Sequence, residues 1–222
     1  MIENIPPIIV INLDRSIDRR KSIESQMKKH SLDFEFFKAV DKNALSESQM
    51  AAYDREEALK DFGSELTTGE IACALSHIGV WDKMVRENIP KAIIFEDDIV
   101  INDDTVEIFK LQQLIPRAAE LIYYYHGKVK SLPWKRKTIY KNYKLVKYLS
   151  PSKKSKRTII YAAAYQLTKS GAEKLLKSAY PVKIPADYYL GYIQRNRLIA
   201  YGIEPCCLEL GNFATTIPDR YD

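Results

Sequence analysis

The stretch AIIFEDDIVI, residues 92–101, places three acidic side chains between two apolar runs. The apolar residues 92–95 are typical of a strand buried on both faces of a sheet. Glu96, Asp97 and Asp98 follow at the carboxyl end of that strand, and such dense charge is rarely buried without a partner. Because ligands of open α/β sheets bind beyond the carboxyl ends of the strands, this stretch predicts both an α/β fold and a binding site.

The flanking sequence repeats this alternation of short apolar runs with helical segments. The clearest helix is predicted over residues 67–88, where apolar side chains recur at helical spacing and Pro90 follows the end. Strands are predicted at 8–12, 34–40, 119–125, 157–167 and 197–205, and further helices at 17–30, 46–62, 168–180 and 185–196. We therefore predict an α/β fold with a mostly parallel central sheet that is covered on both faces.

Size and composition bound the class of protein. With 222 residues, 46% hydrophobic and 28% charged, the chain is expected to form a single domain over residues 1–222. No apolar run approaches the roughly 20 residues of a membrane span, and the beginning of the chain does not resemble a signal peptide. The three cysteines, Cys73, Cys206 and Cys207, are expected to be reduced thiols and show no zinc-ligand spacing.

The positive net charge of +5 is concentrated in one segment. Residues 128–157 hold 12 of the 34 Lys and Arg residues and no acid, so the remaining chain is acidic, with 29 acidic and 22 basic side chains. We expect this segment to form a basic lobe that is inserted in the domain. Such charge suits an anionic partner, which is a membrane surface, a phosphorylated glycan or a nucleic acid, although a solvated lobe without a partner is the simpler interpretation.

The acidic triplet has two interpretations. Alternation along a strand directs Glu96 and Asp98 to one side and Asp97 to the other. Two such carboxylates suit Mg²⁺ or Mn²⁺ shared with substrate phosphates. The alternative is a solvated strand end whose acids cap the next helix, and Asp103 and Asp104 are expected to occupy a turn and helix cap of that kind.

Four blocks of sequence, taken together, resemble glycosyltransferase family 25. They are INLDRSIDRR (11–20), GEIACALSHIGVWDKMV (69–85) followed by FEDD (95–98), AYQLTKSGAEKLL (164–176) and PADYYL (185–190). The family includes lipooligosaccharide galactosyltransferases of bacteria and collagen galactosyltransferases. In the family pattern a glycine precedes the tyrosine of the third block, where this chain has Ala164.

The resemblance implies a nucleotide-sugar-binding fold of the GT-A type and a metal-dependent reaction. A hexose, typically galactose, would pass from a UDP-sugar to a lipooligosaccharide or related glycan with inversion at the anomeric carbon. It also implies a cytoplasmic enzyme, and the basic lobe would place it peripherally on the anionic inner membrane of a bacterium. Nucleic acid is not favoured as a partner, since no recognition motif accompanies the charge.

The donor site is predicted from the loop after the first strand and from the long helix. Arginine offers a forked donor for phosphate, and the loop after a first strand is a frequent nucleotide site. For Arg15, the solvated face of a helix is the preferred interpretation, as is helix capping for Glu70 and core packing for Trp81. The residues predicted to bind the donor, in part through the family blocks, are Asn12, Leu13, Arg19, Arg20, Ser76, His77 and Asp97.

The resemblance also assigns the metal and the base. Asp98, supported by Glu96, is the predicted metal ligand. Asp187 in PADYYL is the predicted catalytic base, since an inverting transfer needs a carboxylate that takes the proton of the acceptor hydroxyl. The alternative for Asp187 is a helix cap, and core packing is expected for Tyr188 and Tyr189.

A function of a different class remains open at this point. A non-catalytic protein that binds anionic lipid or nucleic acid through the basic lobe would explain the segment 128–157 equally well. It would not explain three clustered acids at the end of a buried strand.

Overall fold

The computed structural model of the chain describes residues 5–127 and 131–213, with the backbone alone for 131–134. Residues 128–130 of the basic segment and the side chain of Trp134 therefore lie outside the described residues. Ten strands are present in the described ranges: β1 Ile8–Asn12, β2 Phe34–Lys38, β3 Lys91–Glu96, β4 Ile99–Val100, β5 Leu121–Tyr123, β6 Ser131–Tyr140, β7 Tyr143–Tyr148, β8 Ala164–Thr168, β9 Ala200–Glu204 and β10 Glu209–Leu210.

Eight α-helices alternate with these strands in the same ranges. They are α1 Ile17–Lys29, α2 Glu47–Ala51, α3 Arg55–Asp61, α4 Thr68–Arg86, α5 Asp103–Lys110, α6 Lys169–Leu176, α7 Ala186–Gly191 and α8 Ile193–Asn196, with a short 3-10 turn at Gln112–Leu114. None of the helices in the described residues is both long and apolar enough to span a bilayer.

Eight strands form the central sheet in the order β2-β1-β3-β8-β5-β9-β7-β6, and β4 pairs with β10 in a separate two-stranded ladder. The pairs β1–β2, β1–β3 and β5–β9 are parallel, and the other four pairs are antiparallel. The predicted α/β class is confirmed, but the prediction of a mostly parallel sheet is wrong. Strand β8 is inserted between β3 and β5 in the opposite direction, and β7 and β6 extend the edge next to β9 as an antiparallel pair.

Hydrophobic side chains fill both faces of the sheet, as predicted. Along β1, Ile9 and Ile11 face the core under α4, α6 and α7, whereas Ile8 and Val10 face the core under α1 and α5. This alternation follows from the two-residue period of a strand. It holds β1 and β3 between two helical layers, so their carboxyl ends have a fixed position.

Helix α4 has the clearest periodicity and capping pattern in the sequence, and its observed bounds are close to the predicted ones. Thr67 caps its first turn, and Glu70 returns a hydrogen bond to the Thr67 backbone in a capping box, which is the capping role considered for Glu70. Trp81 is fully buried in the core, as expected. The predicted helix over 46–62 is divided in two, because Asp54 caps α3 and its backbone N–H bonds to the carbonyl of Val182.

Two further predictions concern the basic segment and β8. Residues 131–148 form the antiparallel β6–β7 pair, so this part of the basic segment continues the central sheet. The strand predicted at 157–167 begins only at Ala164. Tyr161 has a positive φ of 76°, a left-handed conformation that a continuous strand cannot contain.

Candidate active site

The edge of the sheet where β1 and β3 end gathers the acidic triplet and the loop after β1. In the parallel register Ile11 is level with Glu96, so Asn12 lies beside Asp97. The amide Nδ2 of Asn12 donates a hydrogen bond of 2.8 Å to Asp97 Oδ2, and both residues are buried. This pairing depends only on strand register, which explains why the polar residue stands immediately after the apolar run IIVI.

Arg19 links the first helix to the same acids. Its Nη1 atom donates to Asp97 Oδ1 at 2.8 Å and lies 3.3 Å from Asp98 Oδ2. The Arg19 side chain is only 12% exposed, so the ion pair is largely removed from solvent and the buried charge of Asp97 is compensated. Asp97 therefore holds β1, α1 and β3 together, in addition to any contact with a ligand.

Asp98 differs from Asp97 in its hydrogen bonding. Its Oδ1 atom is buried and has no hydrogen-bond partner among the described residues. Burial first, and the nearby Glu96 second, raise the pKa of Asp98 to about 6, although Arg19 opposes the shift. A buried carboxylate oxygen without a partner costs free energy, and a cation bound there would remove that cost.

Glu96 is attached to a buried chain of hydrogen bonds. His77 Nε2 lies 3.2 Å from Glu96 Oε1, and His77 Nδ1 lies 2.9 Å from the Tyr165 hydroxyl. The Trp81 indole N–H donates to that same hydroxyl at 2.9 Å. Because a carboxylate accepts and an indole donates, the hydrogen bonds run from Trp81 through Tyr165 and His77 to Glu96, with the ring proton of His77 on Nε2.

The thiol of Cys73 lies next to this series of hydrogen bonds. Cys73 and His77, one helical turn apart on α4, and Glu96 bring one ligand atom each within 4.8 Å of one another. Burial raises the pKa of the Cys73 thiol well above its usual range, and Glu96 adds to the shift. A thiolate and an imidazole favour zinc over manganese. From the sequence Cys73 is expected to be only a reduced thiol, because Glu96 lies far from it along the chain.

An open cleft with about 600 Å³ of empty volume lies between the loop after β1, the segment after β2 and the first half of α4. The Ser76 hydroxyl accepts the backbone N–H of Val40 at 2.9 Å and so fixes the wall formed by the segment after β2. The described residues that line the cleft are Ile11, Leu13, Arg15, Arg19, Ala39, Val40, Lys42, Gly69, Ala72, Cys73, Ser76, His77, Glu96 and Asp97.

Three basic side chains line this cleft. Arg19 was predicted from the sequence, whereas Lys42 was missed and Arg15 was assigned to a solvated helix face. Arg15 precedes α1 and pairs with Asp41, with Nε 2.7 Å from Oδ2. Lys42 lies in an irregular segment, where no periodicity identifies the direction of a side chain.

Arg20 and Asn12 are the two predicted donor residues that are absent from the described lining of the cleft, and Arg20 is directed away from it. Its guanidinium lies 4.0 Å from the centre of the Phe36 ring and 3.4 Å from Glu24. Its Nη1 atom also reaches Asn12 Oδ1 at 3.4 Å. Arg20 thus supports Asn12, and its predicted contact with the donor stays a prediction.

Asp187 reaches the same region from the opposite end of the sequence. It lies in the first turn of α7, where its carboxylate accepts hydrogen bonds from the backbone N–H groups of Tyr161 and Tyr188. Burial, with a smaller contribution from the charge of Glu96, raises the pKa of Asp187 to about 6. Tyr188 packs against Phe62 and Tyr189 is buried, as expected for core residues.

The sequence of the chain matches a known protein family. The sequence profile described as "Glycosyltransferase family 25 (LPS biosynthesis protein)" matches residues 5–190. The chain belongs to glycosyltransferase family 25. The match contains the loop after β1, helix α4, the acidic triplet and Asp187, so it covers every part of the candidate site.

Individual members of family 25 align with shorter parts of the chain. Mouse procollagen galactosyltransferase 2 is 34% identical over 124 residues, which is 52% of this chain and 20% of that protein. The lipooligosaccharide biosynthesis protein lic2B of Haemophilus influenzae is 32% identical over 96 residues, which is 43% of this chain and 34% of that protein. A bovine relative named "Probable inactive glycosyltransferase 25 family member 3" is 28% identical over 196 residues, or 82% of this chain and 31% of the relative.

These relatives are considerably longer than the region that aligns with this chain, which spans about a third of their length or less. Among solved structures, a glycosyltransferase involved in glycosylation of the major capsid of PBCV-1 has a TM-score of 0.36 and 10% identity, and the match covers 76% of this chain and 62% of that one.

Proposed function

We propose that this chain is an inverting hexosyltransferase that moves a sugar, galactose in the first instance, from a UDP-sugar to a lipooligosaccharide or related glycan. One observation carries the proposal. Asp187, from the helix at residues 186–191, interacts electrostatically with Glu96, from the strand end 91 positions earlier, within a family 25 domain. An inverting transfer needs a base that takes the acceptor proton, and Asp187 is a buried carboxylate that interacts with a residue lining the cleft.

The cleft is suited to the donor. Arg15, Arg19 and Lys42 bring positive charge to its lining, and guanidinium groups bind diphosphate oxygens through paired hydrogen bonds. Leu13, Ala39 and Val40 add apolar surface at the same end, against which a base can pack. This arrangement, at the carboxyl ends of β1 and β3 in an α/β sandwich, is also the support for a GT-A type of fold.

The residues fit a divalent cation on one side of the site. Asp98, whose buried Oδ1 lacks a partner among the described residues, and Glu96 would hold it. Bound Mn²⁺ or Mg²⁺ would neutralise charge on the departing UDP.

Asp187 is the proposed base. An oxygen of its carboxylate takes the proton of the acceptor hydroxyl while the hydroxyl oxygen forms a bond to the anomeric carbon. The bond from that carbon to the diphosphate oxygen breaks on the opposite face, and UDP leaves with the electron pair. A pKa of about 6 keeps Asp187 ionised at neutral pH and makes it a stronger base than an ordinary aspartate.

The test is UDP release from UDP-galactose in the presence of MnCl₂, with lactose and lipooligosaccharide core oligosaccharide as acceptors. We expect transfer by the wild type, a product of inverted anomeric configuration by NMR, and a loss of at least about a hundredfold in Asp187→Asn. Asp82→Asn is the matched control, since Asp82 forms an exposed pair with Arg86 on α4. Equal rates in wild type and Asp187→Asn would refute the role of Asp187.

The acceptor and the cellular location are also proposals. The family description names LPS biosynthesis, and Lys135, Arg136 and Lys137 are exposed on β6. We propose that this basic surface binds a phosphorylated glycan or the anionic cytoplasmic face of a bacterial inner membrane, where each cation contributes about 1 kcal/mol. Salt-sensitive binding to vesicles containing phosphatidylglycerol would support the membrane, and absence of binding at low salt would contradict it.

The alternative of a non-catalytic binding protein has one specific observation in its favour, which is the relative named as probably inactive. It predicts binding to anionic vesicles or oligonucleotides without any binding of UDP-sugars. Isothermal titration with UDP and UDP-galactose separates the two proposals directly.

A further inference from the structure

The segment before β8 crosses the edge of the sheet that carries the candidate site. Strand β8 runs antiparallel to both β3 and β5, so its amino-terminal end lies where those two strands finish. The backbone N–H of Glu96 bonds to the carbonyl of Ala163, and the N–H groups of Tyr124 and Tyr125 reach the carbonyl of Ala164. Tyr125 and Tyr161 are therefore neighbours of the acidic triplet, although neither lines the donor cleft as described.

Tyr161 has an unusual backbone and an exposed ring. Its φ is 76°, a left-handed conformation that is uncommon for residues other than glycine, asparagine and aspartate and costs free energy for tyrosine. Tyr161 is 43% exposed, so burial of the ring offsets that cost only in part. Backbone in such sparsely populated conformations clusters at active sites and ligand clamps, so the exposed ring is a candidate for contact with a ligand.

Gly127 makes room for this ring. A Cβ atom at Gly127 would lie 2.9 Å from Cε2 of Tyr161 and 3.0 Å from Cγ1 of Ile160. Gly127 also exchanges backbone hydrogen bonds with Ile160 in an isolated bridge. The absence of a side chain at 127 thus lets the Tyr161 segment lie flat against the end of β5.

Tyr125 and Tyr161 form an aromatic pair between the two carboxylates with raised pKa values. Their ring centres are 5.3 Å apart at an angle of 63°. Tyr125 is close enough to Asp98 to interact with it electrostatically. The backbone N–H of Tyr161 donates to Asp187, so the residue that presents the ring also positions the proposed base.

We propose that Tyr161, supported by Tyr125, is the platform on which the acceptor sugar stacks, so that this pair forms the acceptor subsite of the enzyme. This inference rests on the proposed function. A hexopyranose presents an apolar C–H face that packs on an aromatic ring while its hydroxyl groups stay hydrated. Glu96 lines the donor cleft and interacts electrostatically with Asp187, so a sugar on Tyr161 would have Asp187 beside it, next to a carboxylate that lines the donor cleft.

Two substitutions separate the ring from the backbone. Tyr161→Phe keeps the ring and removes only the hydroxyl. Tyr161→Asn removes the ring but keeps the backbone N–H to Asp187, and asparagine tolerates a positive φ. With UDP-galactose as donor and lactose or lipooligosaccharide core oligosaccharide as acceptor probe, we expect Tyr161→Phe to resemble the wild type. We expect Tyr161→Asn to raise the acceptor KM about tenfold, with a change in donor KM at least five times smaller.

The possible results test the acceptor platform and the proposed transferase function separately. The same acceptor KM in Tyr161→Asn and Tyr161→Phe would overturn the platform while leaving the transferase intact. So would a wild type that releases UDP at a rate that neither acceptor probe increases. A wild type that neither binds nor turns over UDP-galactose would instead remove the proposed function, and the acceptor subsite with it.

Discussion

Asn12 donates its side-chain amide to Asp97 across 85 positions of sequence, and the bond is buried at the junction of β1 and β3. The adjacent Arg19 occupies the other oxygen of Asp97. Asp97 is thus committed to holding the edge of the sheet in place. Asp98 keeps a buried oxygen without a partner among the described residues and is available for a ligand together with Glu96.

Asn12→Ala is expected to destabilise the fold. It would leave Asp97 Oδ2 buried without its partner, at a cost of about 1–3 kcal/mol in the free energy of unfolding, measured by urea denaturation. Asp14→Ala is the matched control, because Asp14 forms an exposed pair with Lys38 and should change stability by less than about 0.5 kcal/mol. Equal effects of the two substitutions would contradict the structural role of Asn12.

Two buried tyrosines should respond in opposite ways to loss of the hydroxyl. Tyr165→Phe removes the group that joins Trp81 to His77 and should cost about 1–3 kcal/mol. Tyr123→Phe removes a buried hydroxyl without a hydrogen-bond partner among the described residues, so it should be neutral or stabilising. Thermal unfolding of both variants gives the comparison, and a Tyr165→Phe variant as stable as Tyr123→Phe would refute the hydrogen-bonded chain.

Stability should depend on pH through Asp187. Its pKa is raised to about 6 in the folded chain, against 3.8 for the ordinary group, so between about pH 4 and pH 6 the folded state binds more protons than the unfolded state. Stability due to this group therefore falls as pH rises through that window. Asp187→Asn removes the titration, and its free energy of unfolding relative to wild type should rise by roughly 1–3 kcal/mol from pH 4 to pH 7. A difference that is independent of pH would show that Asp187 is not a buried acid.

Metal binding should depend on Asp98 and not on the acids beyond it. Asp98→Asn is expected to weaken binding of Mn²⁺ at least tenfold, measured by titration calorimetry in the absence of nucleotide and again with UDP. Asp103→Asn is the control, since that side chain is 92% exposed in the first turn of α5. Unchanged Mn²⁺ affinity in Asp98→Asn would exclude Asp98 as the ligand, and Cys73→Ala would then test the neighbouring group of Cys73, His77 and Glu96.

Much of this edge of the sheet could be predicted because its signals are local. The run at residues 8–12, the capped helix that contains His77, and the acids after residue 95 each carry their own pattern. Parallel register then brings Asn12 to Asp97 without further information. The family blocks added Asp187, whose place beside Glu96 depends on a long-range contact that no periodicity records.

The sequence could not predict the direction in which some strands pair or the conformation of irregular segments. Residues 164–168 look the same whether they pair parallel or antiparallel, because a strand buried on both faces is a continuous apolar run in either case. The cleft residue Lys42 lies in a segment without periodicity. For Tyr161 the sequence shows an ordinary strand pattern, whereas in the structure its φ is positive and the strand begins only at Ala164.

The charges on β6 have a consequence for self-association. In the described part of the sheet β6 is the terminal strand, and a terminal strand offers unpaired backbone groups to any other extended chain. Lys135 and Lys137, exposed on this strand, would meet their own counterparts if two copies joined edge to edge. Mutual repulsion would oppose that pairing, and a polyanion that screened the charges would favour clustering of the protein.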